Sequence, residues 1–367
     1  MHPLIKNTSV FMGKTLTFSS FILVLATIFI VSNDLAHGVV SGKYFWFYGS
    51  MGVVCVSTLL YSIIHKKRFR FSLTDIFFLL FTGSVFLSTC IFNTVSANQT
   101  KLVLLSLLTI LYVCLRLVLD GNQQKLQTLI CFFIILTGLV EVIWGLMQLY
   151  GFRPSQHSLF KLTGSFFNPG PYAGYLAVVF PLALQFFLKN NNRAKSDSLF
   201  KMKISFKNLK IKPLIDFFQP FINKYLSGLT CIAILLVLPA SMSRASWLAV
   251  MAGSVIVLVR HWRKKLLFLK PAMKRLKIIT FVLVICLSII TFAGMYYLKK
   301  DSADGRLLTW KVSISALMKH PLGVGLGHFP SAYGEAQAAY FASDSAMEAE
   351  EYVAGKEMRE EARRFRD

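Results

Sequence analysis

The chain has few charged residues for its length. Aspartate, glutamate, lysine and arginine make up 16% of the 367 residues, whereas 55% are hydrophobic and 14% are aromatic. A soluble domain carries about a quarter of its residues as charged side chains. The apolar residues also form blocks long enough to cross a bilayer, which takes about 17–25 residues. The composition therefore excludes an ordinary soluble domain and predicts a membrane protein.

Several common sequence features are also absent. The six cysteines form no C-x-x-C pair and no cluster with histidine, and all lie inside apolar blocks, so we interpret them as small buried residues. There is no internal repeat and no low-complexity linker. No convincing small-residue cleavage site follows the first apolar run, which is therefore predicted to be a span and not a removed signal peptide.

Nine apolar blocks predict about nine membrane-spanning helices. Hydrocarbon offers no water to backbone polar groups, so each block is expected to satisfy them within one helix. A β-barrel is excluded because its strands alternate apolar and polar residues, whereas these blocks are apolar at consecutive positions. The predicted spans are 16–32, 44–64, 71–92, 102–119, 126–150, 170–188, 226–241, 245–259 and 278–298. The expected fold is an all-α polytopic membrane protein with an additional helical segment on its outer face.

Lysine and arginine are concentrated in three loops, 65–70, 189–224 and 260–277, which contribute to a net charge of +23. Cytoplasmic loops of membrane proteins carry an excess of these residues, so we predict a cytoplasmic N-terminus. The basic loops are expected to face anionic lipid and not nucleic acid. The segments predicted to lie outside are 33–43, 93–101, 151–169, 239–244 and everything from 299 onward.

This topology divides the chain into three parts. Residues 1–298 form the predicted transmembrane domain, and residues 299–343 begin a large extracytoplasmic loop. Residues 344–367 form a highly charged tail. The tail is predicted to be either a short soluble helix with i,i+4 ion pairs or the aberrant end of a shifted or truncated reading frame.

Two polar segments interrupt the apolar blocks on the outer face. Glycines and prolines in the first segment break the helix near the surface and bring Ser165 and Asn168 close to headgroup level, with Tyr172 shortly after them. We predict that these residues form the wall of a groove for a polar headgroup; a re-entrant turn with a helix cap is the plainer alternative. The second segment carries Arg244, whose planar charge is costly near hydrocarbon unless it reaches the interface or an anion. A guanidinium at this depth suits a phosphate or diphosphate.

A third outer segment combines an arginine, an amphipathic helix and a glycine run. Trp310, Ile314 and Leu317 share one side of a helix that contains Arg306, and this helix is expected to lie along the outer surface. The glycine run has no strand before it and no expected helix start after it, so we interpret it as helix termination and close packing and not as a nucleotide site. His328 is a candidate catalytic residue.

Together the three segments resemble the O-antigen ligase and polymerase superfamily. The resemblance rests on GSFFNPGPYAGYL, SMSRASWLAV and GRLLTWKVSISALMKHPLGVGLGHFPSAY in this order, and it covers roughly residues 130–340. It implies a mainly helical glycosyltransferase of the bacterial inner membrane. Such an enzyme moves a glycan from undecaprenyl diphosphate to lipid A-core, a growing polysaccharide or a protein. The resemblance also implies that Arg244 and Arg306 hold the donor diphosphate, without a metal or other cofactor.

The chain departs from the family pattern toward its end. Members usually carry a further catalytic residue, often a histidine, late in the outer loop, and membrane helices follow it. Here no apolar block follows residue 298 and no histidine follows His328. Glu335 and Glu351 are the alternative bases for an acceptor hydroxyl. We therefore expect a C-terminally incomplete family member, whose activity is open.

Two other functions stay open at this point. A transporter or flippase for a lipid-linked anionic substrate would place charges inside the membrane, where Arg116 and Glu141 are candidates, although no repeat is evident. An inactive remnant with a structural role is the other alternative. The sugar, the acceptor, the choice between ligase and polymerase, and the oligomeric state do not follow from the sequence.

Overall fold

The computed structural model describes residues 3–32, 38–66, 69, 71–91, 99–119, 124–197, 225–266 and 300–342. Every regular element within these ranges is helical. Two of the elements are short 3-10 turns, Thr27–Phe29 and Leu238–Ser241. The helices are α1 (Pro3–Ala26), α2 (Gly38–His65), α3 (Leu73–Ile91), α4 (Gln99–Leu119), α5 (Gln124–Leu149), α6 (Pro169–Asp197), α7 (225–237), α8 (Arg244–Leu266), α9 (Lys300–Lys319) and α10 (Phe329–Phe341).

Five described helices are long and apolar enough to cross a membrane. They are Gly38–His65, Leu73–Ile91, Gln99–Leu119, Leu126–Leu149 and Pro169–Lys189. The predicted first and seventh spans coincide with shorter apolar helices, Thr15–Phe29 and Tyr225–Ser241. The eighth coincides with α8, which is not among the five, and the ninth lies outside the described residues, as does the charged tail from residue 344. The all-helical architecture is confirmed for the described residues, and five candidate spans agree with a multi-pass membrane protein; the count of about nine spans is not confirmed.

The chain divides into two compact units. The first contains residues 1–69 and 113–293, and the second contains residues 70–112 and 294–367. Helix α4 contributes its last residues to the first unit and the rest to the second.

Hydroxyl groups and small residues bring the helices of the first unit together. Between α1 and α2, the hydroxyls of Ser20 and Ser57 lie 2.8 Å apart in the interior. Between α5 and α6, Gly138 lies so close to Val179 that an added Cβ would stand 2.5 Å from a valine methyl group. Lipid is as apolar as leucine, so helices in a membrane associate through such close contacts and hydrogen bonds.

The second unit contains a buried carboxylate that fixes the start of α3. Asp75 is 0% exposed. Its Oδ2 accepts hydrogen bonds from the N–H and the hydroxyl of Ser72, both at 2.7 Å, and Ser72 Oγ accepts in return from the Asp75 N–H at 3.4 Å. This is a capping box, which satisfies backbone donors that a helix start leaves unpaired. The Tyr112 hydroxyl, on α4, donates to Asp75 Oδ1 at 2.5 Å, so the cap also joins α3 to α4.

Candidate functional site

One buried glutamine holds the connection between α5 and α6. Gln148 is 5% exposed. Its Oε1 accepts hydrogen bonds from the backbone N–H groups of Thr163 (2.9 Å) and Gly164 (2.7 Å). Its Nε2 donates to the carbonyls of Gly164 (2.9 Å) and Pro154 (3.2 Å). Since this connection has no helical ladder to pair its backbone, the amide of Gln148 supplies the partners that buried backbone groups require.

Two turns earlier on α5, a buried glutamate fixes the next residue of the same connection. Glu141 is 0% exposed, and its Oε2 accepts a hydrogen bond from the Ser165 N–H at 3.1 Å. Its other oxygen, Oε1, has no hydrogen-bond partner among the described residues. Lys43, on α2, interacts electrostatically with this carboxylate, and its ammonium group donates to the carbonyl of Ile28. The Glu141 carboxyl group thus has a backbone donor and a basic group near it, as a buried ionisable group inside a membrane protein requires.

The three predicted groove-wall residues are distributed between interior and surface. Ser165 and Tyr172 are both 0% exposed, whereas Asn168 is exposed. The Ser165 hydroxyl donates to the Ile28 carbonyl at 2.6 Å, and the Tyr172 hydroxyl donates to the Glu141 carbonyl at 3.2 Å. Asn168 Oδ1 accepts from the Gly170 N–H at 3.2 Å and so caps α6. This geometry favours the turn-and-cap alternative, and a groove-wall role for the three residues stays a prediction.

Arg244 is the first residue of α8 and follows a tight turn. The 3-10 turn before it ends at Ser241, and the next residue, Met242, adopts a left-handed conformation with φ of 52°. Ser243 follows, and its hydroxyl lies 2.9 Å from that of Ser246 in the first turn of α8. The start of a helix presents unpaired N–H groups and the positive end of the helix dipole. A guanidinium group at this position adds to a local environment that already attracts anions.

Arg244 and the start of α6 are connected through one apolar core in the first unit. Trp247, one turn after Arg244, packs against a buried cluster that includes Tyr172. Further along α8, a Cβ added at Gly253 would lie 3.0 Å from the ring carbons of Pro181 in α6. The structure therefore places Arg244 and Tyr172 on helices that pack directly against each other.

Arg306 and His328 lie in the second unit, on a helical hairpin formed by α9 and α10. The two helices pack through a small core of Val312, Ala316 and Ala336. Arg306 is exposed in the second turn of α9, and His328 immediately precedes α10. The Nε2 atom of His328 is buried and has no hydrogen-bond partner among the described residues. Most buried side-chain nitrogens are paired, so an unpaired one needs an explanation such as a ligand or a catalytic role.

The glycine run between α9 and α10 is anchored at the end of α3. The hydroxyl of Ser88 accepts a hydrogen bond from the Gly325 N–H, and that of Thr89 accepts one from the Leu326 N–H, both at 3.2 Å. All three glycines of the run have positive φ, of 82°, 80° and 90° at Gly323, Gly325 and Gly327. The interpretation as helix termination and close packing agrees with this geometry. The expectation that no helix starts after the run is wrong, because α10 begins at Phe329.

The other charged candidates from the sequence are Arg116, Glu335 and Glu351. Arg116, on α4, has its guanidinium carbon 6.0 Å from the centre of the Phe69 ring. Glu335 is exposed on α10, and Glu351 lies outside the described residues. Within the described part of the chain, no three histidine, cysteine, aspartate or glutamate side chains are grouped closely enough to hold a metal ion.

Sequence reasoning missed three polar residues that hold the helices together: the half-buried Lys43 and the buried Asp75 and Gln148. A signal for Asp75 was present, because Ser72 and Asp75 have the spacing of a capping box. No comparable signal marks Lys43 or Gln148. Each is a single polar residue near the end of an apolar block. Such a residue can face the lipid headgroups or pair with a buried backbone segment, and the surrounding sequence is the same in both cases.

Residues 229–351 match a protein-family model described as O-antigen ligase. No curated protein and no solved structure gives a significant match to the chain. The matched range is about a third of the chain and begins within α7. It includes Arg244, Arg306 and His328. The match supports the superfamily predicted from the three sequence motifs, two of which lie within the matched range.

Proposed function

We propose that this chain, which belongs to the O-antigen ligase superfamily, transfers a glycan from an undecaprenyl-diphosphate donor to an acceptor. The acceptor would be lipid A-core, a polysaccharide or a protein at the outer face of the bacterial inner membrane. The observation that carries the proposal is the family match over 229–351, because this range contains Arg244, Arg306 and His328. The multi-pass helical architecture supports it, since a prenyl-linked donor has to be bound from the lipid phase.

The arginines are assigned to the leaving group. The acceptor oxygen attacks the anomeric carbon of the donor sugar, and the bond from that carbon to the diphosphate oxygen breaks. Negative charge then grows on the departing diphosphate. Fixed guanidinium groups stabilise this charge more strongly in the transition state than in the ground state, which is the condition for catalysis. Each arginine offers two parallel N–H donors to phosphate oxygens.

His328 is assigned to the acceptor. The attacking hydroxyl has to lose its proton as the new glycosidic bond forms, and a histidine near neutral pH is suited to accept it. The buried, unpaired Nε2 of His328 supports this assignment, because no hydrogen bond from a described residue has to be broken before the nitrogen receives a proton. The proton would pass from the acceptor oxygen to this nitrogen and then to solvent.

The proposed orientation places the N-terminus in the cytoplasm and both arginines outside. It follows from the basic loops at 65–70, 189–224 and 260–277. The hydrogen bonds between the end of α3 and the glycine run support it, because this topology assigns 93–101 and everything from 299 onward to the same side of the membrane.

The test is transfer by the full chain in proteoliposomes that contain a labelled undecaprenyl-diphosphate glycan and a bacterial envelope extract as the source of acceptors. Arg244→Ala and Arg306→Ala are each expected to abolish transfer without loss of membrane insertion. Arg244→Lys and Arg306→Lys should keep only a minor part, because an ammonium group cannot form the paired N–H contacts. Transfer is measured as label that moves from the donor to a larger, prenyl-free product.

Arg260 provides a matched control, because it is an exposed arginine near the other end of α8. Arg260→Ala is expected to transfer at the wild-type rate. Wild-type transfer by both Arg244→Ala and Arg306→Ala would contradict the diphosphate assignment. Movement of the labelled lipid across the bilayer without any covalent product would instead identify a transporter or flippase.

The ionisable groups inside the bundle, Glu141 and Lys43, give the transport alternative little support. Glu141 binds the backbone of Ser165, and Lys43 binds the backbone of Ile28. Both groups therefore fix a connection between helices. A transport pathway would instead require charges that line a water-filled route.

A further inference from the structure

Helix α9 carries apolar side chains on two opposite faces. On one face, Val312 and Ala316 are buried against α10. On the other, four large apolar side chains recur at the spacing of helical turns and stay exposed. They are Leu307 (52% exposed), Trp310 (64%), Ile314 (57%) and Leu317 (59%). These four residues, which we call the α9 stripe, form a continuous apolar band that water solvates poorly.

Basic residues border the α9 stripe on both sides. At 3.6 residues per turn, Arg306 lies at one edge of the stripe and Lys311 at the other. Both side chains are exposed. Lysine and arginine at the edges of an apolar face can lay their aliphatic stems along lipid while their charges reach the phosphate level. This arrangement is typical of helices that lie in the plane of a membrane interface.

The hairpin is tied to a point near the membrane surface. The connection from α9 to α10 is bonded to Ser88 and Thr89, which are in the last turn of α3. Helix α3 has 19 residues, so it is about 28 Å long at 1.5 Å per residue. The hydrocarbon core is about 30 Å thick, and the end of a spanning helix of this length lies at its boundary.

Helix α3, to which the hairpin is anchored, also carries exposed apolar side chains. Large side chains along α3 are exposed, among them Phe77 (62%), Leu80 (64%) and Leu87 (62%). In a spanning helix such side chains face acyl chains. The α9 stripe is anchored at the end of this helix and is bordered by two cations. Its chemistry and its depth therefore match the outer part of a lipid leaflet.

We propose that α9 lies in the membrane interface, with the α9 stripe among the lipid acyl chains and with Arg306 and Lys311 at the level of the lipid phosphates. The occupant of the stripe is lipid, not a second copy of the chain or another protein. One consequence rests on the proposed function: α9 would hold Arg306 at the depth where a prenyl-linked diphosphate carries its charge. The interfacial placement itself does not depend on that function.

The depth of Trp310 tests the proposal directly. The full chain is reconstituted into phosphatidylethanolamine–phosphatidylglycerol vesicles whose acyl chains are brominated either near the headgroup or near the methyl end. The signal of Trp310 is the fluorescence of the wild type minus that of Trp310→Phe, since the chain has five tryptophans. We expect strong quenching by bromine near the headgroup, weaker quenching by bromine near the methyl end, and little quenching by aqueous acrylamide.

A matched pair of tryptophan probes gives the control. In the Trp310→Phe background, Ile314→Trp lies in the stripe, and Thr309→Trp lies on an exposed position away from it. The fluorescence of the Ile314→Trp probe is expected to be quenched by brominated lipid, and that of the Thr309→Trp probe by acrylamide. Quenching of Trp310 by acrylamide alone would overturn the proposal, because the stripe would then face water. Protection of Trp310 from both quenchers would also overturn it, because a protein surface would then cover the stripe.

The Arg306→Ala variant separates this proposal from the proposed function. It is expected to keep the lipid quenching of Trp310, because the stripe is intact, although it loses glycan transfer. Loss of lipid quenching in Arg306→Ala would contradict placement by the stripe. Normal transfer in that variant, with quenching retained, would contradict only the assignment of Arg306 to the diphosphate.

Discussion

Replacement of Gln148 by alanine should release the connection between α5 and α6. The truncation removes the partners of three backbone groups in the interior, the N–H groups of Thr163 and Gly164 and the carbonyl of Gly164. A buried polar group left without a partner costs about 1–3 kcal/mol. Water can enter the space vacated by the side chain, so we use the lower value for each group. The free energy required to open the connection should then fall by about 3 kcal/mol.

Trypsin cleavage after Lys161 measures this opening. Lys161 is exposed on the connection and is followed by Leu162, which is 3% exposed, so cleavage requires the segment to leave its site. When reclosing is faster than cleavage, the cleavage rate follows the population of the open form. A loss of about 3 kcal/mol corresponds to a rise of about a hundredfold, since 1.4 kcal/mol is a factor of ten. The fragment ending at Lys161 is quantified by mass spectrometry on protein in detergent micelles.

Gln185 supplies the control for this experiment, because it is an exposed glutamine on α6. Gln185→Ala should be cleaved after Lys161 at the wild-type rate. Gln148→Glu should give an intermediate rate, because its carboxylate keeps an acceptor for the two N–H groups but loses the donor to the Gly164 carbonyl. Equal cleavage of Gln148→Ala and Gln185→Ala would refute the conclusion that Gln148 holds the connection.

Two further substitutions test neighbouring parts of the structure. Gly164→Ala should destabilise the first unit, because its φ of +58° alone costs a residue with a side chain about 1–3 kcal/mol and because an added Cβ would also clash with the Tyr172 ring. Gly174→Ala, whose Cβ would meet nothing within 4 Å, should leave the denaturation midpoint in mixed micelles unchanged. Asp75→Ala should cost about 1–2 kcal/mol as a lost helix cap, and Tyr112→Phe should cost less because it removes only one of the hydrogen bonds to Asp75. An Asp75→Ala midpoint at or above that of Tyr112→Phe would argue against the capping box.

The sequence predicted the membrane helices well where they stand as single apolar blocks. The blocks 71–92 and 126–150 correspond closely to α3 and α5, because lipid forces a helix on any sufficiently long apolar segment. Helix α10 was missed because its apolar content is modest. Pro330 in its first turn was the available signal, since proline is favoured at that position.

The role of Ser165 and Tyr172 could not be predicted from local pattern. Glycine and proline around them correctly indicated a turn at a helix start. Their burial depends on Glu141, which is 24 residues before Ser165 and 31 before Tyr172. Such long-range pairing leaves no periodic trace, so the sequence alone does not distinguish a polar residue that faces a ligand from one that is buried against a neighbouring helix. Within the described residues, Ser165 and Tyr172 are hydrogen-bonded to the Glu141 carboxylate and to backbone carbonyls of the bundle.

The family-matched region depends for its geometry on helices that precede it. Its first arginine begins α8, which packs on α6 through Gly253 and Pro181. Its glycine run is held by hydroxyls of α3, more than two hundred residues earlier in the chain. Helices α3 and α6 both lie outside residues 229–351. The residues assigned to chemistry are therefore concentrated in one stretch of sequence, but their positions are set by hydrogen bonds and close contacts from earlier helices. Substitutions in α6 should therefore shift Arg244, and substitutions in α3 should shift the hairpin that carries Arg306, although neither arginine is itself replaced.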